Sequence, residues 1–374
     1  MAPTEILAEQ HYEKLSAWLR PLGVEVVELK GSLSASARRE RIEAIGDGQA
    51  QLVVGTQALI QEHVRFFRLG LVILDEQHRF GVGQRLELNR KGDQRQDQDV
   101  LIPHQLNMSA TPIPRTLAMT FLADLDVSAL DELPPGRTPV LTKLVDDSRR
   151  DEVMAHVLAE VKQGRQAYWV CPLVEESEAL QLQTAVDTYE RLAHVLSEAS
   201  VGLVHGRMSS TEKQDVMRAF RSGALDVLVA TTVIEVGVDV PNASLMIIEH
   251  AERFGLAQLH QLRGRVGRGR VSSICVLMYQ TPLSSIARVR LRAMYETDDG
   301  FEIARRDLDV RGPGEFLGVR QSGQQLLRFA SLQDDDQVVE QARRAAVLMR
   351  KHYPGHIDKH VARWMRGRQE LFRG

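Results

Sequence analysis

The chain has 374 residues, of which 43% are hydrophobic and 26% are charged. This composition excludes fibrous, collagen-like and wholly disordered proteins. The sequence has no apolar run near the roughly 18 residues of a membrane span and no N-terminal signal pattern, so we expect a cytoplasmic protein with no membrane partner. Cys171 and Cys275 lie in apolar runs and are expected to be buried side chains, not a disulfide or metal site.

The net charge is -3, but the basic residues are unevenly distributed. Arginine accounts for 39 of the 47 basic residues, and residues 253–292 contain eight arginines and no acidic residue. Because the guanidinium group binds phosphate in a bidentate manner, this stripe predicts a local anion site. A GC-rich genome is an alternative explanation for the high proportion of arginine, although it does not explain the lack of acids.

In the first part of the chain, helical and strand-like segments alternate. Helices are predicted at 5–20, capped by Thr4, and at 34–45; strands are predicted at 24–29, 51–55, 69–74 and 104–108. The strands are apolar without polar alternation, so we expect both of their faces to be buried in a parallel sheet. Residues 131–137, with two prolines and a glycine, predict a linker.

The second part repeats this alternation and then becomes helical. Helices are predicted at 147–162, 184–199 and 210–221, and strands at 167–171, 201–204, 227–230, 245–249 and 274–279. Further helices are predicted at 283–296, 300–307, 334–352 and 356–372, with a glycine-rich loop at 307–323. The pattern predicts an α/β fold with two RecA-like parallel-sheet lobes facing one cleft, followed by a mostly helical C-terminal part. The predicted domains are 1–133, 134–282 and 283–374.

Two carboxylates follow the apolar run 69–74, namely Asp75 and Glu76. At the end of a buried strand, such a pair is suited to nucleotide hydrolysis. The first carboxylate would hold Mg²⁺ through water, and the second would orient and deprotonate the attacking water. The alternative is that both residues simply begin a solvated loop.

Two further segments support the first interpretation. Ser109 and Thr111 follow the next strand, where small hydroxyl residues suit a turn that couples two lobes. The segment 230–239 follows a strand in the second half, where Gly237 permits close backbone approach and Asp239 can accept a hydrogen bond from a ribose or an arginine.

The segment 258–268 carries an arginine cluster. We expect Arg265 and Arg268 to lie three residues apart at the start of a helix, sharing one face. From there they can point at the γ-phosphate of a nucleotide, as arginine fingers do. The alternative is a solvated surface cluster.

Taken in order, four motifs resemble those of superfamily 2 helicases: DEQH at 75–78, SAT at 109–111, ATTVIEVGVD at 230–239 and QLRGRVGR at 261–268. The closer resemblance is to the RecG family of bacterial ATP-dependent helicases, which remodel branched DNA. It rests on MAPTEILAEQH, HRFGVGQR, SATPIPRT, GLAQLHQLRGRVGRG and DLDVRGPGEFLGVRQSG, and it extends over essentially the whole chain. The Mfd family is the nearest alternative, but it carries DEEH instead of DEQH.

The resemblance implies roles for individual residues. It implies ATP and Mg²⁺ as cofactors, with Asp75 as the residue that holds Mg²⁺. The catalytic and nucleotide-binding residues would be Asp75, Glu76, Gln77, His78, Asp239, Gln261, Arg265 and Arg268. Residues coupling ATP state to movement are Ser109 and Thr111. Matches to DNA-backbone contacts are Thr4, Gly55, Thr56, Gln57, Thr231, Thr232 and Gly237. The translocation element, which links cleft closure to movement along duplex DNA, is matched by Arg290, Arg311 and Gln321. For Arg311, a salt bridge with Glu315 or Asp307 is the alternative role.

The resemblance also implies forks and Holliday junctions as partners, a single-stranded-DNA-binding protein as a further partner, a monomeric state and association with the bacterial nucleoid. One family feature is not found, since no glycine in the sequence is followed by lysine. The phosphate-binding loop of such motors needs that pair. Family members place the loop, and a wedge domain, upstream of MAPTEILAEQ. We therefore expect the C-terminal part of a longer protein, inactive in ATP hydrolysis by itself and with an incomplete first lobe.

Three other functions stay open at this point: a non-catalytic DNA-binding fragment, an Mfd-like transcription-repair coupling translocase and, least supported by the motifs, a metabolic α/β enzyme.

Overall fold

This computed structural model describes residues 1–81, 83–84, 87–88, 91, 103–110, 126–130, 132, 137–172, 178–231, 240–269, 271–311 and 336–365. The chain divides into two units, residues 1–110 with 134–298 and residues 111–133 with 299–374. Within the first unit, we call residues 1–110 lobe 1 and residues 137–298 lobe 2. The second unit is described separately.

Within the described residues, lobe 1 contains two short parallel sheets with two strands each. Its elements are α1 (Glu5–Leu19), β1 (Val26–Leu29), α2 (Ala35–Gly46), β2 (Leu52–Gly55), β3 (Leu71–Leu74) and β4 (His104–Asn107). β1 pairs with β2 and β3 with β4. The start of α1 follows from Thr4, whose hydroxyl oxygen accepts the Leu7 N–H at 3.4 Å as an N-cap.

Lobe 2 is built on a parallel sheet that has six strands in the described residues, in the order β5-β10-β9-β6-β8-β7. Its strands are β5 (Leu141–Asp146), β6 (Gln166–Val170), β7 (Val201–Val204), β8 (Val227–Ala230), β9 (Ala243–Ile248) and β10 (Ile274–Tyr279), and its helices are α3 (Arg150–Val161), α4 (Glu178–Val195), α5 (Ser210–Arg221), α6 (Leu256–Arg263) and α7 (Ser285–Glu296). Every residue of β6, β8 and β9 is buried. These strands confirm the prediction of apolar strands covered on both faces.

The strands of lobe 1 are less well covered. Along β3, Leu71 and Ile73 are exposed while the alternate residues are buried, so the prediction that both faces are covered is wrong for this strand. The side chains of Leu71 and Ile73 line an apolar groove that runs between β2 and β3. Among the described residues, the backbone of Met1 and Ala2 crosses this groove at one end: the Ala2 N–H donates to Gly55 O at 2.8 Å, and the Asp75 N–H donates to Met1 O at 3.1 Å.

In the second unit, the described helices are α8 (Gly300–Arg311), α9 (Asp336–His352) and α10 (Pro354–Met365). α9 and α10 pack against each other. The prediction of a loop from residue 307 is wrong for residues 307–311, which continue α8. DLDVR contains no glycine or proline, so nothing in it stops the helix before Gly312.

The α/β class and the parallel pairing are thus confirmed, whereas the predicted domain boundaries stay a prediction. None of the helices in the described ranges combines the length and apolar character that a membrane span requires.

In the described residues, Met1 and Ala2 pair with β2 and β3 at one end of the groove only, and Leu71 and Ile73 are exposed to it. We therefore predict that lobe 1 opens more readily than lobe 2. Amides of residues 1–135 should exchange with solvent faster than those of residues 140–280, by about tenfold, equivalent to about 1.4 kcal/mol. Hydrogen exchange followed by mass spectrometry measures this difference. Equal protection of Leu71–Leu74 and Val227–Ala230 would contradict the prediction.

Candidate functional site

The paired acids occupy a tight turn at the carboxyl end of β3. Glu76 has a φ of 52° and a ψ of 53°, a left-handed conformation that costs a residue with a side chain about 1 to 2 kcal/mol. The turn is fixed on both sides by backbone hydrogen bonds. The Met108 N–H donates to Leu74 O at 2.8 Å, and the Gln77 N–H donates to Met108 O at 2.9 Å. The strained turn is thus held by the end of β4.

Glu76 also reaches the Ser-Ala-Thr segment directly. Its carboxylate is 8% exposed, and its Oε2 accepts the N–H of Ala110 at 3.4 Å. Ala110 is the middle residue of that tripeptide, so the parallel pairing of β3 and β4 brings together two motifs that lie 34 residues apart. A change in the position of the Glu76 side chain would therefore disturb its hydrogen bond to the Ser-Ala-Thr segment.

Asp75 is held by a residue that the sequence analysis did not assign. His11 on α1 lies with its Nε2 2.8 Å from Asp75 Oδ2, while Oδ1 accepts the N–H of Glu76 at 3.0 Å. The hydrogen bond from His11 lowers the pKa of Asp75 below its usual value, although partial burial opposes this shift. The carboxylate is therefore ionised at neutral pH. The only signal in the sequence was that His11 ends the segment MAPTEILAEQH.

This arrangement fits a magnesium ion. Each Asp75 oxygen accepts one hydrogen bond and retains a second lone pair for a metal-bound water. Among the described residues, no group of three or more His, Cys, Asp and Glu side chains is placed to hold a metal. Mg²⁺ does not require one, since it usually binds through one or two carboxylates, several waters and the substrate phosphates.

A contact between the lobes begins at the same turn. His78 Nδ1 lies 3.7 Å from Glu76 Oε2, and on the other side of the ring His78 Nε2 lies 3.4 Å from Gln261 Nε2 of α6 in lobe 2. Of these two nitrogens, the amide donates and the ring nitrogen accepts. Glu76, His78 and Gln261 thus form a polar chain from the acid turn to the second lobe.

The arginine cluster differs from its predicted geometry. α6 ends at Arg263, so Arg265 and Arg268 lie in the turn that follows the helix, not on a helix start. Two glycines explain the difference. Gly264 caps the helix, and Gly267 has a φ of +77°, which a residue with a side chain rarely adopts.

Both arginines remain close to the carboxyl end of α6. Arg265 is 8% exposed, and its N–H donates to Leu262 O at 3.0 Å. Arg268 Nε donates to Gly264 O at 3.3 Å. The carbonyls at a helix end attract cations, and this attraction orients the Arg268 side chain.

Arg263 has a structural role that the sequence analysis did not identify. It is 4% exposed, and its guanidinium donates to Met294 O at 3.1 Å and to Thr297 O at 3.0 Å. A third contact joins it to Thr142 of β5 at 3.3 Å. Arg263 therefore fixes α6, which carries Gln261, to α7 and to the sheet. The sequence alone does not distinguish it from the other arginines of the cluster.

A second buried network lies at the carboxyl ends of β6 and β9. Glu249 is 2% exposed. It accepts the Trp169 Nε1–H at 2.7 Å and forms an ion pair with Arg150. Arg150 also contacts Asp147 at 2.9 Å. This network orders the same sheet edge from which α6 departs. In the sequence, the signal for this network was Glu249, a polar residue at the end of a long apolar run.

The residues matched to DNA contacts lie at strand ends where the structure describes them. Thr56 follows β2, and Thr231, which is 4% exposed, follows β8. Thr4 caps α1 through its side chain, and Gln57 begins a short 3₁₀ turn. Gly55 must be a glycine, because a Cβ there would lie 2.1 Å from Leu29 O.

Other predicted residues cannot be placed. Thr111, Thr232, Gly237, Asp239 and Gln321 lie outside the described residues, as does the side chain of Arg311, whose backbone ends α8. Arg290 lies on α7 with its Nε buried and without a hydrogen-bond partner among the described residues.

Three family models match the chain. They are the DEAD/DEAH box helicase over residues 1–120, the helicase conserved C-terminal domain over residues 149–270, and the C-terminal part of domain 3 of the ATP-dependent DNA helicase RecG over residues 297–369. Their order agrees with the order of the motifs.

Curated relatives are similar along almost the whole chain. ATP-dependent DNA helicase RecG of Escherichia coli O157:H7 is 56% identical over 366 residues, which is 98% of this chain and 52% of the relative. RecG of Haemophilus influenzae is 53% identical over 99% of this chain and 53% of the relative. The chain therefore spans about half the length of the curated relatives it matches.

Solved structures agree with these relatives. A structure of RecG bound to a three-way DNA junction has a TM-score of 0.69 and 44% identity, covering 91% of this chain and 43% of that chain. Dbp5 of S. cerevisiae bound to RNA and ADP BeF3 has a TM-score of 0.53 at 17% identity, covering 83% and 74% of the two chains, a likeness in fold alone. The RecA-like α/β class is confirmed, and the chain belongs to the RecG family of helicases.

Proposed function

We propose that this chain carries the coupling and second-lobe machinery of an ATP-dependent translocase on duplex DNA, which in the intact protein regresses forks and moves Holliday junctions. The polar chain Glu76–His78–Gln261 is the observation that carries this proposal. It links the residue assigned to the attacking water with the lobe that must move.

Within this function, Asp75 and Glu76 have different tasks. Asp75, whose pKa is lowered by the hydrogen bond from His11, would hold Mg²⁺, which supplies charge neutralisation at the phosphates when it is bound. Glu76 would orient the attacking water and accept its proton. Its hydrogen bond to the Ala110 N–H would then change with its protonation and carry the change to the coupling segment.

Arg265 and Arg268 would stabilise negative charge on the transferred phosphoryl group. Both follow α6 directly, and Gln261 on that helix contacts His78. Movement of α6 toward the acid turn would therefore bring the arginines with it. Arg263, anchored to α7 and β5, would pass that movement into lobe 2.

DNA is expected to lie at the carboxyl ends of the strands, where Thr56 and Thr231 are found. Ligands of open α/β sheets bind at this edge. The similarity to a RecG structure bound to a three-way junction supports branched DNA as the partner. The match of residues 297–369 to a RecG domain favours RecG over Mfd. A single-stranded-DNA-binding partner, a monomeric state and nucleoid association stay predictions.

We further propose that the chain of 374 residues alone does not hydrolyse ATP. The acids and the arginines need a phosphate cradle between them, and the sequence has no Gly-Lys pair to build one. By itself, the chain would act as a DNA-binding protein with a salt-dependent affinity.

The ATPase test compares the chain with its Glu76→Gln variant in the presence of forked DNA and Mg²⁺. We expect both to release phosphate at the same background rate. Turnover of the unaltered chain above that of the variant would disprove inactivity. Addition of the upstream region of a RecG relative should then restore turnover to the unaltered chain and not to Glu76→Gln, whereas a chain that binds DNA without catalysis would show no recovery.

Arg268→Ala in the intact protein is expected to lower the ATPase rate constant by about a thousandfold, as is typical for loss of an arginine finger. The affinity for DNA should stay within about twofold of normal, because the substitution removes no contact with a DNA phosphate. Arg268→Lys should recover little activity, since lysine lacks the planar fork. Steady-state kinetics and a fluorescence binding titration measure the two effects. A variant with normal turnover would remove Arg268 from the ATP site.

Arg311→Ala in the intact protein is expected to uncouple the motor. DNA-stimulated ATPase should stay within about twofold of normal while junction unwinding falls about tenfold or more, because the lost group acts after cleft closure. Gel-based unwinding of a Holliday junction, run beside the ATPase assay, compares the two rates. Unchanged unwinding would return Arg311 to its alternative role in a salt bridge.

A further inference from the structure

The two lobes also meet at a second place. There, α1 of lobe 1 lies beside α5 of lobe 2. Gln214 Nε2 donates to Glu9 Oε2 at 3.0 Å, and Arg221 NH1 lies 3.8 Å from Glu13 Oε2. α5 follows β7 at the outer edge of the lobe 2 sheet, whereas α6 follows β9, three strands away. The α1–α5 contact is thus separate from the His78–Gln261 contact.

The facing surfaces of these helices are complementary in charge. Glu9 and Glu13 are four residues apart and therefore share one face of α1. Gln214, Arg218 and Arg221 are spaced by four and three residues and share one face of α5. The two stripes line a small cleft, with Ile6 and Met217 among its walls. We call this pairing of helix faces the α1–α5 seam.

Glu9 is positioned from within its own lobe. Lys30, with 14% of its side chain exposed, lies 3.8 Å from Glu9 and 3.3 Å from Glu28. This cation holds the Glu9 carboxylate at the mouth of the cleft, where Gln214 reaches it. The acceptor for lobe 2 is therefore already in place on lobe 1.

The seam is weak as well as specific. The side chains of Arg221 and Glu13 are 45% and 59% exposed, so salt screens their attraction and the pair contributes little to stability. Arg218 lies in the same cleft, but its NH1 is 3.1 Å from Asp215 on its own helix. A weak contact between two lobes that must separate in each cycle can form and break readily.

We infer that the α1–α5 seam is a reversible electrostatic latch that sets the resting spacing of the two lobes in the absence of nucleotide and DNA. Its residues are not among those assigned to the ATP site, although α1 also carries His11, which contacts Asp75; the latch goes beyond the proposed function. Breaking it should shift the lobes toward separated arrangements, and raising the salt concentration should have the same effect.

The test measures the distance between the lobes by fluorescence energy transfer, without ATP or DNA. Dyes are attached at Glu40→Cys on α2 and Glu190→Cys on α4, both exposed positions. The two native cysteines are 0% exposed, and burial raises the pKa of each thiol to about 12, so they resist labelling. The labelled background should give one main distance at low salt.

Arg221→Ala should decrease the ratio of the short-distance to the long-distance population by about two- to fivefold, as expected for loss of an exposed ion pair. Arg218→Ala is the matched control, since it removes an equal charge from the same cleft but from a pair within one helix. The latch proposal would be wrong if both variants changed the population ratio equally, or if Arg221→Ala left the ratio unchanged. Salt at about 0.5 M should reproduce the effect in the labelled background and add little to Arg221→Ala.

A charge exchange separates pairing from misfolding. Glu13→Arg and Arg221→Glu should each shift the distribution to longer distances, and the double variant should restore it. Gln214→Glu provides an independent second pair. It places a carboxylate opposite Glu9 and should separate the lobes, and the added Glu9→Gln should bring them back. Thermal melting confirms that each variant is folded. Failure of both exchanges to restore the distance would overturn the proposal.

Discussion

The site depends on the parallel pairing of β3 with β4. In their register, Leu74 lies opposite Asn107, so the residues that follow the two strands must emerge side by side. This single constraint places the acid turn against the Ser-Ala-Thr segment and supplies the backbone bonds that hold Glu76 in its left-handed conformation. A strained residue persists only where its surroundings determine it completely. Here both strands are needed to do so, and neither could position Glu76 alone.

The two sheets bury their strands to different degrees, although the strands look alike in sequence. β6, β8 and β9 are each flanked by strands on both sides and are covered throughout. β3 has an equally apolar sequence, yet it presents Leu71 and Ile73 to the groove beside β2. The backbone of residues 1 and 2 bridges the groove at one end through hydrogen bonds to Gly55, Ile73 and Asp75. The acid turn therefore lies at the edge of the less supported half of the molecule, which is consistent with a segment that must respond to a ligand.

Much of this arrangement could be predicted from the sequence, because it depends on strand order and on residues that directly follow strands. Ser210–Arg221 and Ile274–Tyr279 were predicted to the residue, and the pairing of Asp75 with Glu76 at a strand end needed only hydrophobic patterning. What could not be predicted depends on distant partners. His11 meets Asp75 across 64 residues, and Arg263 differs from the arginines beside it in its partners on α7 and β5, which are 31 and 121 residues away. The expected helix start at Arg265 was wrong because the glycines beside it end a helix as readily as they precede one.

The two contacts between the lobes differ in physical character, and this difference suits a motor. His78 lies between Gln261 and the buried Glu76 carboxylate, so this contact is close to the acid turn. In the α1–α5 seam, the Gln214 amide meets Glu9 and the exposed charges of Arg221 and Glu13 face each other, so the charged part of the seam weakens as the salt concentration rises. In the proposed function, the first contact would therefore respond to the nucleotide site while the second holds the lobes together. Because the two contacts lie three strands apart along the lobe 2 sheet, breaking one while the other holds would rotate the lobes about the remaining contact, and a local change at Glu76 would become a change of angle between the lobes.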